Sequence, residues 1–287
     1  MVNQRSNPLS ELAKYGFEDL SEALRNLDLL VKQIGDRARP VVIPLSKSAS
    51  PDRALRFLNR FAEEHAKQLG KVLANEDSAQ RLCSLVGASD AMADLLHRRP
   101  ELLTILGRPA KLPTDFNLSI ESRVSLRQEY RQKLLSIADW DLSRPFQQSY
   151  RDVSAALSDL AVAALEAGIT VAISELISEG RITQEQAQTA GLAVIAMGKC
   201  GARELNYLSD VDVIYVCSAN DDAVSTATKI AARLALVIDE SSTEAGLWQV
   251  DPNLRPEGKD GVLVRSVDSH LSYYQKWAHP WEFQALL

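Results

Sequence analysis

Asp210 and Asp212 stand one residue apart at the head of an apolar run, Val213-Ile214-Tyr215-Val216. Strand side chains alternate between the two faces, so residues two apart point the same way. The spacing predicts two carboxylates projecting together, with Val211 and Val213 turned the other way into a core. Carboxylates side by side repel each other unless a cation lies between them. A hard divalent ion with oxygen ligands, Mg2+ or Mn2+, does this, and in enzymes it commonly holds phosphate oxygens as well. A glycine-rich loop, Gly198-Lys199-Cys200-Gly201, lies upstream and directly follows another apolar run, residues 192–197. Glycine lets the backbone come close to phosphates, and the Lys199 ammonium there neutralises their charge. A third aspartate, Asp251, ends the run Gly246-Leu247-Trp248-Gln249-Val250 and completes the carboxylate set that a two-ion site needs. Arg255, four residues on, can meet phosphate oxygens as a fork or brace its own loop through Asp251 or Glu257. Ser209 is expected to hold the turn before Asp210, and Glu204 to cap or pair within the loop.

Three strands must position these groups: residues 192–197, the run from Asp212 to Val216, and residues 246–251. Between the last two, Ala223, Ala227, Ile230, Ala231, Leu234, Val237 and Ile238 fall at helical spacing, and a final helix begins near Ser266. Everything before about residue 185 reads as helix. Leu20, Ala23, Leu24, Leu27, Leu30 and Val31 share one face, and Gly35 stops that helix. Residues 37–50, with Pro40, Pro44 and several serines, read as a linker or an extended crossing. Ser50-Pro51 is a capped helix start, with Leu55, Leu58, Ala62, Ala66 and Leu69 inward. A helix ends at Leu85-Val86-Gly87, Ser89 caps another, and Pro100 breaks it before Leu102, Leu103 and Leu106 resume. A charged helix spans about 121–138. Residues 153–177 are so continuously apolar, with Glu166 and Glu175 the only glutamates, that they read as one long helix buried on more than one side. The expected class is α+β, with a helical region over 1–185 and a small mixed sheet flanked by helices over 186–287.

Composition narrows the function classes. The chain has 287 residues, 46% of them hydrophobic and 24% charged, and a net charge of -6. That balance is globular, and the acidic charge argues against a general nucleic-acid binder. Cys83, Cys200 and Cys217 show no metal-type spacing and read as small core or loop residues of a reducing compartment. The segment from Met1 to Arg5 leads into polar sequence without a signal core, and no run reads as a membrane span. His65, His97, His270 and His279 lack ligand spacing and are expected to be structural or exposed. Trp277, Trp281 and Phe283 are expected in the core, and Arg98-Arg99 at a solvated helix end.

The run GKCGARELNYLSDVD, residues 198–212, resembles the motif G-K-x-G-x-x-E-L-x-x-x-S-D-x-D of the glutamine synthetase adenylyltransferases, a branch of the DNA polymerase β-type nucleotidyltransferases. VDPNLRPEG, residues 250–258, resembles the family's V-D-x-x-L-R-P-x-G. The resemblance extends upstream through LVGASDAMADLLHRRPELLTIL, residues 85–106, and downstream through YYQKWAHPWEFQALL, residues 273–287. Ala202-Arg203 departs from the Gly-Gly or Gly-Arg of many relatives in a variable loop. The resemblance implies a nucleotidyltransferase-type sheet with Asp210, Asp212 and Asp251 as catalytic metal ligands. It places Gly198, Lys199, Ser209 and Arg255 on the nucleotide side, with Mg2+ or Mn2+, ATP or ADP, and phosphate as cofactors and substrates. Family proteins carry two catalytic units, an N-terminal one that removes AMP from a glutamine synthetase tyrosine and a C-terminal one that adds it. The motif lies about 200 residues from the start, so the chain is expected to be a fragment with most of the first unit. The expected reaction is phosphorolysis of the AMP-tyrosine bond to ADP. The alternatives are adenylyl transfer from ATP, and an inactive module docking glutamine synthetase or a PII-type signalling protein. The setting implied is cytoplasmic, without nucleic acid or membrane.

Overall fold

The computed structural model describes residues 8–218, 221–241 and 243–286. The segment from Met1 to Arg5, expected to lack a signal core, and Leu287, the end of the downstream motif, lie outside them. The chain is α+β: mainly helical, with one small mixed sheet of four strands. Its residues form two compact units, one made of those up to 112 with 135–149, the other of 113–134 with those from 150 on.

The first unit contains α1 (Pro8–Lys14), α2 (Leu20–Ile34), α3 (Val42–Ser46), α4 (Pro51–Leu73), α5 (Glu76–Ala88) and α6 (Asp90–Arg98). Side-chain caps start the longer ones: Asp19, Ser50, Asn75 and Ser89 each accept from a backbone N–H three residues on. Gly35 ends α2 at a φ of 75°, a conformation that costs glycine nothing. Leu30, Leu55, Leu58, Leu69, Leu82, Leu85 and Leu96 are fully buried, each contributing about 1.5–3 kcal/mol.

Residues 37–50 require a correction. They are not a linker: a 3-10 helix, Gly35–Val41, runs directly into α3. Proline and serine punctuate like a loop, but proline is compatible with a first helical turn. Here burial of Ala38, Val41 and Leu45 folds the segment onto its unit. After Pro100 the chain resumes as a 3-10 helix, Pro100–Gly107, with Leu102, Leu103 and Leu106 inward.

Two long helices follow, α7 (Arg123–Leu142) and α8 (Phe146–Ser178). Residues 135–149, from the end of α7 to the start of α8, belong to the first unit. The rest of both belongs to the second. Among the described helices, α8 alone is long and apolar enough to cross a membrane, and half of its most apolar stretch is buried inside the chain. Val153, Leu157, Leu160, Ala161, Ala164, Val171 and Ala172 are buried, so more than one side of it is covered. At Gly168 a Cβ would lie 2.7 Å from Leu234 Cδ1, so glycine permits the close approach of the next long helix.

The second unit continues with α9 (Gln184–Ala190), β1 (Ala193–Ala196), α10 (Gly198–Gly201), β2 (Val211–Cys217), α11 (Asp221–Asp239), β3 (Val250–Asp251), β4 (Val264–Ser266), α12 (Val267–Lys276) and α13 (Pro280–Ala285). β2 is central. It pairs antiparallel with β1 on one edge and parallel with β3 and then β4 on the other. The third strand is shorter than its sequence suggests, because of residues 246–251 only the last two are strand. The fourth, three residues long, was not expected.

A second correction concerns the aromatics expected in the core. Trp277 is 72% exposed, Trp281 49% and Phe283 47%. Glu282 takes the inward position of α13, accepting hydrogen bonds from Tyr273 Oη at 2.9 Å and His279 N at 2.7 Å. Neighbours on a helix point about 100° apart, so fixing Glu282 inward turns Trp281 and Phe283 outward.

Candidate metal and nucleotide site

The pairing of β2 with β3 sets Val211 opposite Val250 and Asp212 opposite Asp251. Directly paired residues of neighbouring strands share a face. Val211 and Val250 are buried at 0% and 7% exposure, so Asp212 and Asp251 emerge together on the other side. Asp210, two residues ahead of Asp212, joins them. One oxygen from each of the three carboxylates can be chosen so that all lie within 4.8 Å of one another. Oxygens sharing one octahedral Mg2+ sit about 3–4 Å apart, from bonds of about 2.1 Å. The donor set, all carboxylate oxygen and slightly more open than that, fits a hard divalent cation.

The charges are poorly compensated within the chain. Burial pushes the Asp212 carboxyl above the ordinary aspartate range, the charges of Asp210 and Asp251 push it further, and Lys199 pulls the other way. Lys199 Nζ donates to Ser209 Oγ at 3.3 Å, and Ser209 Oγ donates to Asp210 Oδ1 at 3.4 Å. Asp251 Oδ1 accepts from Asn253 N at 2.8 Å, an Asx turn that fixes the carboxylate at the strand's end. Among the described residues none of the three aspartates is in an ion pair.

The segment expected as a glycine loop is a single helical turn, α10, between β1 and β2. Gly198 has a φ of 51°, and a Cβ there would lie 2.9 Å from Asp212 Oδ2. At Gly201 a Cβ would lie 2.5 Å from the Ala196 carbonyl oxygen. Both glycines let this turn press against the strands that carry the aspartates. Behind it, Arg203 in the left-handed conformation donates to Asp159 Oδ2 at 2.8 Å, and Leu205 N donates to Ser158 Oγ at 3.2 Å. The sequence pointed to neither Ser158 nor Asp159; the one available signal was two polar residues inside the apolar run of α8. Cys200 is buried, and burial together with the charges of Asp159 and Asp212 pushes its thiol up to about 11, so it is no thiolate nucleophile.

Of the seven residues singled out from the sequence, the structure brings together Asp210, Asp212, Asp251, Gly198, Lys199 and Ser209. Arg255 follows Asp251 but turns back on its own loop. It is buried, and Nε, Nη1 and Nη2 donate to the carbonyls of Gly261, Pro252 and Lys259 at 3.1, 2.9 and 3.0 Å. The brace therefore runs through backbone carbonyls rather than through Asp251 or Glu257. A cavity of about 460 Å3 in this unit is lined by Phe116, Ile120, Asp159, Val162, Glu166 and Thr170 and by none of the three carboxylates. Asp159, on its wall, accepts from Arg203, two residues beyond the glycine turn.

The model of the glutamate-ammonia ligase adenylyltransferase family matches residues 79–287. The chain is 40% identical to the bifunctional glutamine synthetase adenylyltransferase/adenylyl-removing enzyme of Leifsonia xyli, over 97% of this chain and 31% of that protein. It is 39% identical to the enzyme of the same name from Streptomyces coelicolor, over 99% of this chain and 30% of that one. To that of Cutibacterium acnes it is 36% identical, over 100% and 32%. The chain thus spans about a third of the length of the curated relatives it matches. On the family match, and with the motif residues of the first aspartate pair gathered around one sheet, the chain belongs to the glutamate-ammonia ligase adenylyltransferase family.

Proposed function

We propose that this chain is a nucleotidyltransferase unit that regulates glutamine synthetase by removing AMP from an adenylylated tyrosine through phosphorolysis. The observation that carries the reading is the convergence of Asp210, Asp212 and Asp251 within 4.8 Å. Residues 186–287 form the catalytic core in this reading, and residues 1–185 the helical region that serves it. In the reaction an oxygen of inorganic phosphate attacks the phosphorus of the AMP group. The bond to the tyrosine oxygen breaks, that oxygen takes a proton, and ADP leaves. Phosphate is itself the nucleophile, so the buried Cys200 thiol is not called on.

Asp210, Asp212 and Asp251 would hold Mg2+ or Mn2+, and Gly198, lacking a side chain, lets the turn that carries Lys199 come close to Asp212. Bound divalent cations supply neutralisation of the phosphate charge. Asp251, at a strand end, orients the attacking oxygen. Lys199 moves from Ser209 toward the phosphate, where its charge opposes that developing on the oxygens. Arg255 supports this site by holding the loop after Asp251.

Glutamine synthetase is the partner macromolecule, a PII-type signalling protein the regulator, and the cytoplasm the setting. The relatives' names join two directions, and products separate them. Adenylylated glutamine synthetase with phosphate and Mg2+ is expected to release ADP. Pyrophosphate released from ATP with unmodified glutamine synthetase would assign adenylyl transfer instead. Binding of glutamine synthetase without turnover, unchanged in Asp210→Asn, would make the chain a docking module.

A further inference from the structure

β3 delivers one of the three carboxylates yet is only two residues long, and its ladder pairs with one edge of β2 over Val211 and Asp212. A two-residue ladder is too short to fix its own register. The residues before it, from the end of α11 to Gln249, include no helix or strand among those described. Something else must decide where β3 begins.

The face of α7 that carries Arg127, Tyr130 and Arg131 meets this segment. Arg131 Nη2 donates to the carbonyls of Ala245 and Gly246 at 2.7 and 2.8 Å, and Arg131 Nη1 pairs with Glu244 at 2.9 Å. Tyr130 Oη accepts from Trp248 Nε1 at 3.1 Å. Arg127, fully buried, donates to the carbonyls of Leu236 and Val237 at the end of α11 and to Glu244 O. It is a helix C-terminal cation that caps α11. From the other side, Leu247 N donates to Ile238 O at 2.9 Å, and a Cβ on Gly246 would lie 2.0 Å from Asp239 O. Residues 244–248 are thus gripped on two sides, ending three residues before Asp251. A slip of one residue past this grip would send Asp251 to the opposite face of the sheet.

We propose that Tyr130 and Arg131 are positioning residues for Asp251: by fixing the backbone at 245–248 they determine that the third carboxylate meets Asp210 and Asp212. Among the described residues, neither makes a hydrogen bond or ion pair with the three aspartates. The assignment rests on the metal-site reading above, and the test separates the two.

Mn2+ binding to the full chain is measured by electron paramagnetic resonance for wild type, Asp212→Asn, Tyr130→Phe, Arg131→Lys, Asp251→Asn and the two doubles that join Tyr130→Phe or Arg131→Lys to Asp251→Asn. Residues that touch a metal ligand directly change affinity by about 10–100-fold. Acting one step further away, Tyr130→Phe and Arg131→Lys are expected to weaken Mn2+ binding about fivefold each, with unchanged circular dichroism. Once Asp251 is Asn they are expected to have no further effect, because they act through it. Equal losses in both backgrounds, or a lowered melting temperature with unchanged Mn2+ affinity, would overturn the positioning role while leaving the site intact. Mn2+ binding that is absent from wild type or indifferent to Asp212→Asn would overturn the site and this assignment together. The single hydroxyl lost in Tyr130→Phe keeps the test open if an arginine variant fails to fold.

Discussion

The first unit buries an ion pair and the second gathers like charges, and the two arrangements serve different ends. Arg81 of α5 and Asp139 of α7 are 5% and 2% exposed. The guanidinium meets both carboxylate oxygens and also donates to Asp77 and to the carbonyls of Leu106 and Arg108. Its pKa is raised, chiefly by the hydrogen bonds to Asp139. Every charge there finds its partner within the fold. At β2 and β3, three carboxylates face one another, and the single cation that acts on Asp212 donates to Ser209 instead. Charge completed inside the chain holds structure together. Charge left incomplete inside the chain is, on the proposed reading, available to a cation.

The contrast is broken most forcefully at Asp139. Asp139→Asn removes the buried counter-charge of Arg81, leaving only the exposed Asp77, and is expected to cost about 3–5 kcal/mol, read from urea denaturation. Asp212→Asn should do the reverse, leaving stability within about 0.5 kcal/mol of wild type or raising it, because repulsion is relieved. Its loss is in Mn2+ affinity, about 100-fold by calorimetry. A large destabilisation by Asp212→Asn would show that the trio is structural after all.

Gly198→Ala comes next. A methyl at a φ of 51° and 2.9 Å from Asp212 Oδ2 is strained and must displace the carboxylate. The expected cost is about 1–2 kcal/mol in denaturation, accompanied by weaker Mn2+ binding.

A pH series sharpens the comparison further. The raised pKa of Asp212 contributes stability present below the ordinary aspartate value of 3.8 and lost as pH rises through the raised folded value. Glu175 has the opposite sign. Hydrogen bonds from Arg123 lower its pKa, with Arg233 adding to the effect, so its contribution is present above 4.5 and lost as pH falls through the lowered value. In metal-free protein, Asp212→Asn should flatten the first limb of the stability profile and leave the second. The smallest effect is expected at the surface, where Asp36 and Arg39 pair at 88% and 73% exposure. Asp36→Ala should leave the denaturation midpoint where it is, because solvent already screens that pair.

What could be read in advance followed local rules. Ser50-Pro51 starts α4, Ser266 caps α12, and the alternation around Val211 and Val213 set the aspartates on one face, because caps and strand periodicity act over a few residues. What could not be read depends on distant partners. β4 is a strand because β2 offers it an edge, and α3 is a helix because Leu45 finds a core. Arg127 and Arg131 look like solvated charges on a charged helix until the carbonyls at the end of α11 and after it come to meet them. Arg255 had a visible motif, but its choice between phosphate and its own loop lies in the loop's three-dimensional path.

Because β3 and β4 pair with one edge of β2, the chain leaves the sheet after Asp251 and rejoins the same edge at Val264. The detour between them is anchored at both ends, and past the span that Arg255 braces its length can change at little cost. A residue inserted between Gly261 and Val262, where the chain is exposed, would be absorbed as a larger bulge of surface loop. A residue inserted between Val211 and Asp212 would invert every side chain downstream of it, turning the Asp212 carboxylate into the core. Natural variation in length, and any engineered graft of a new recognition loop, should accordingly fall in the detour and spare the central strand.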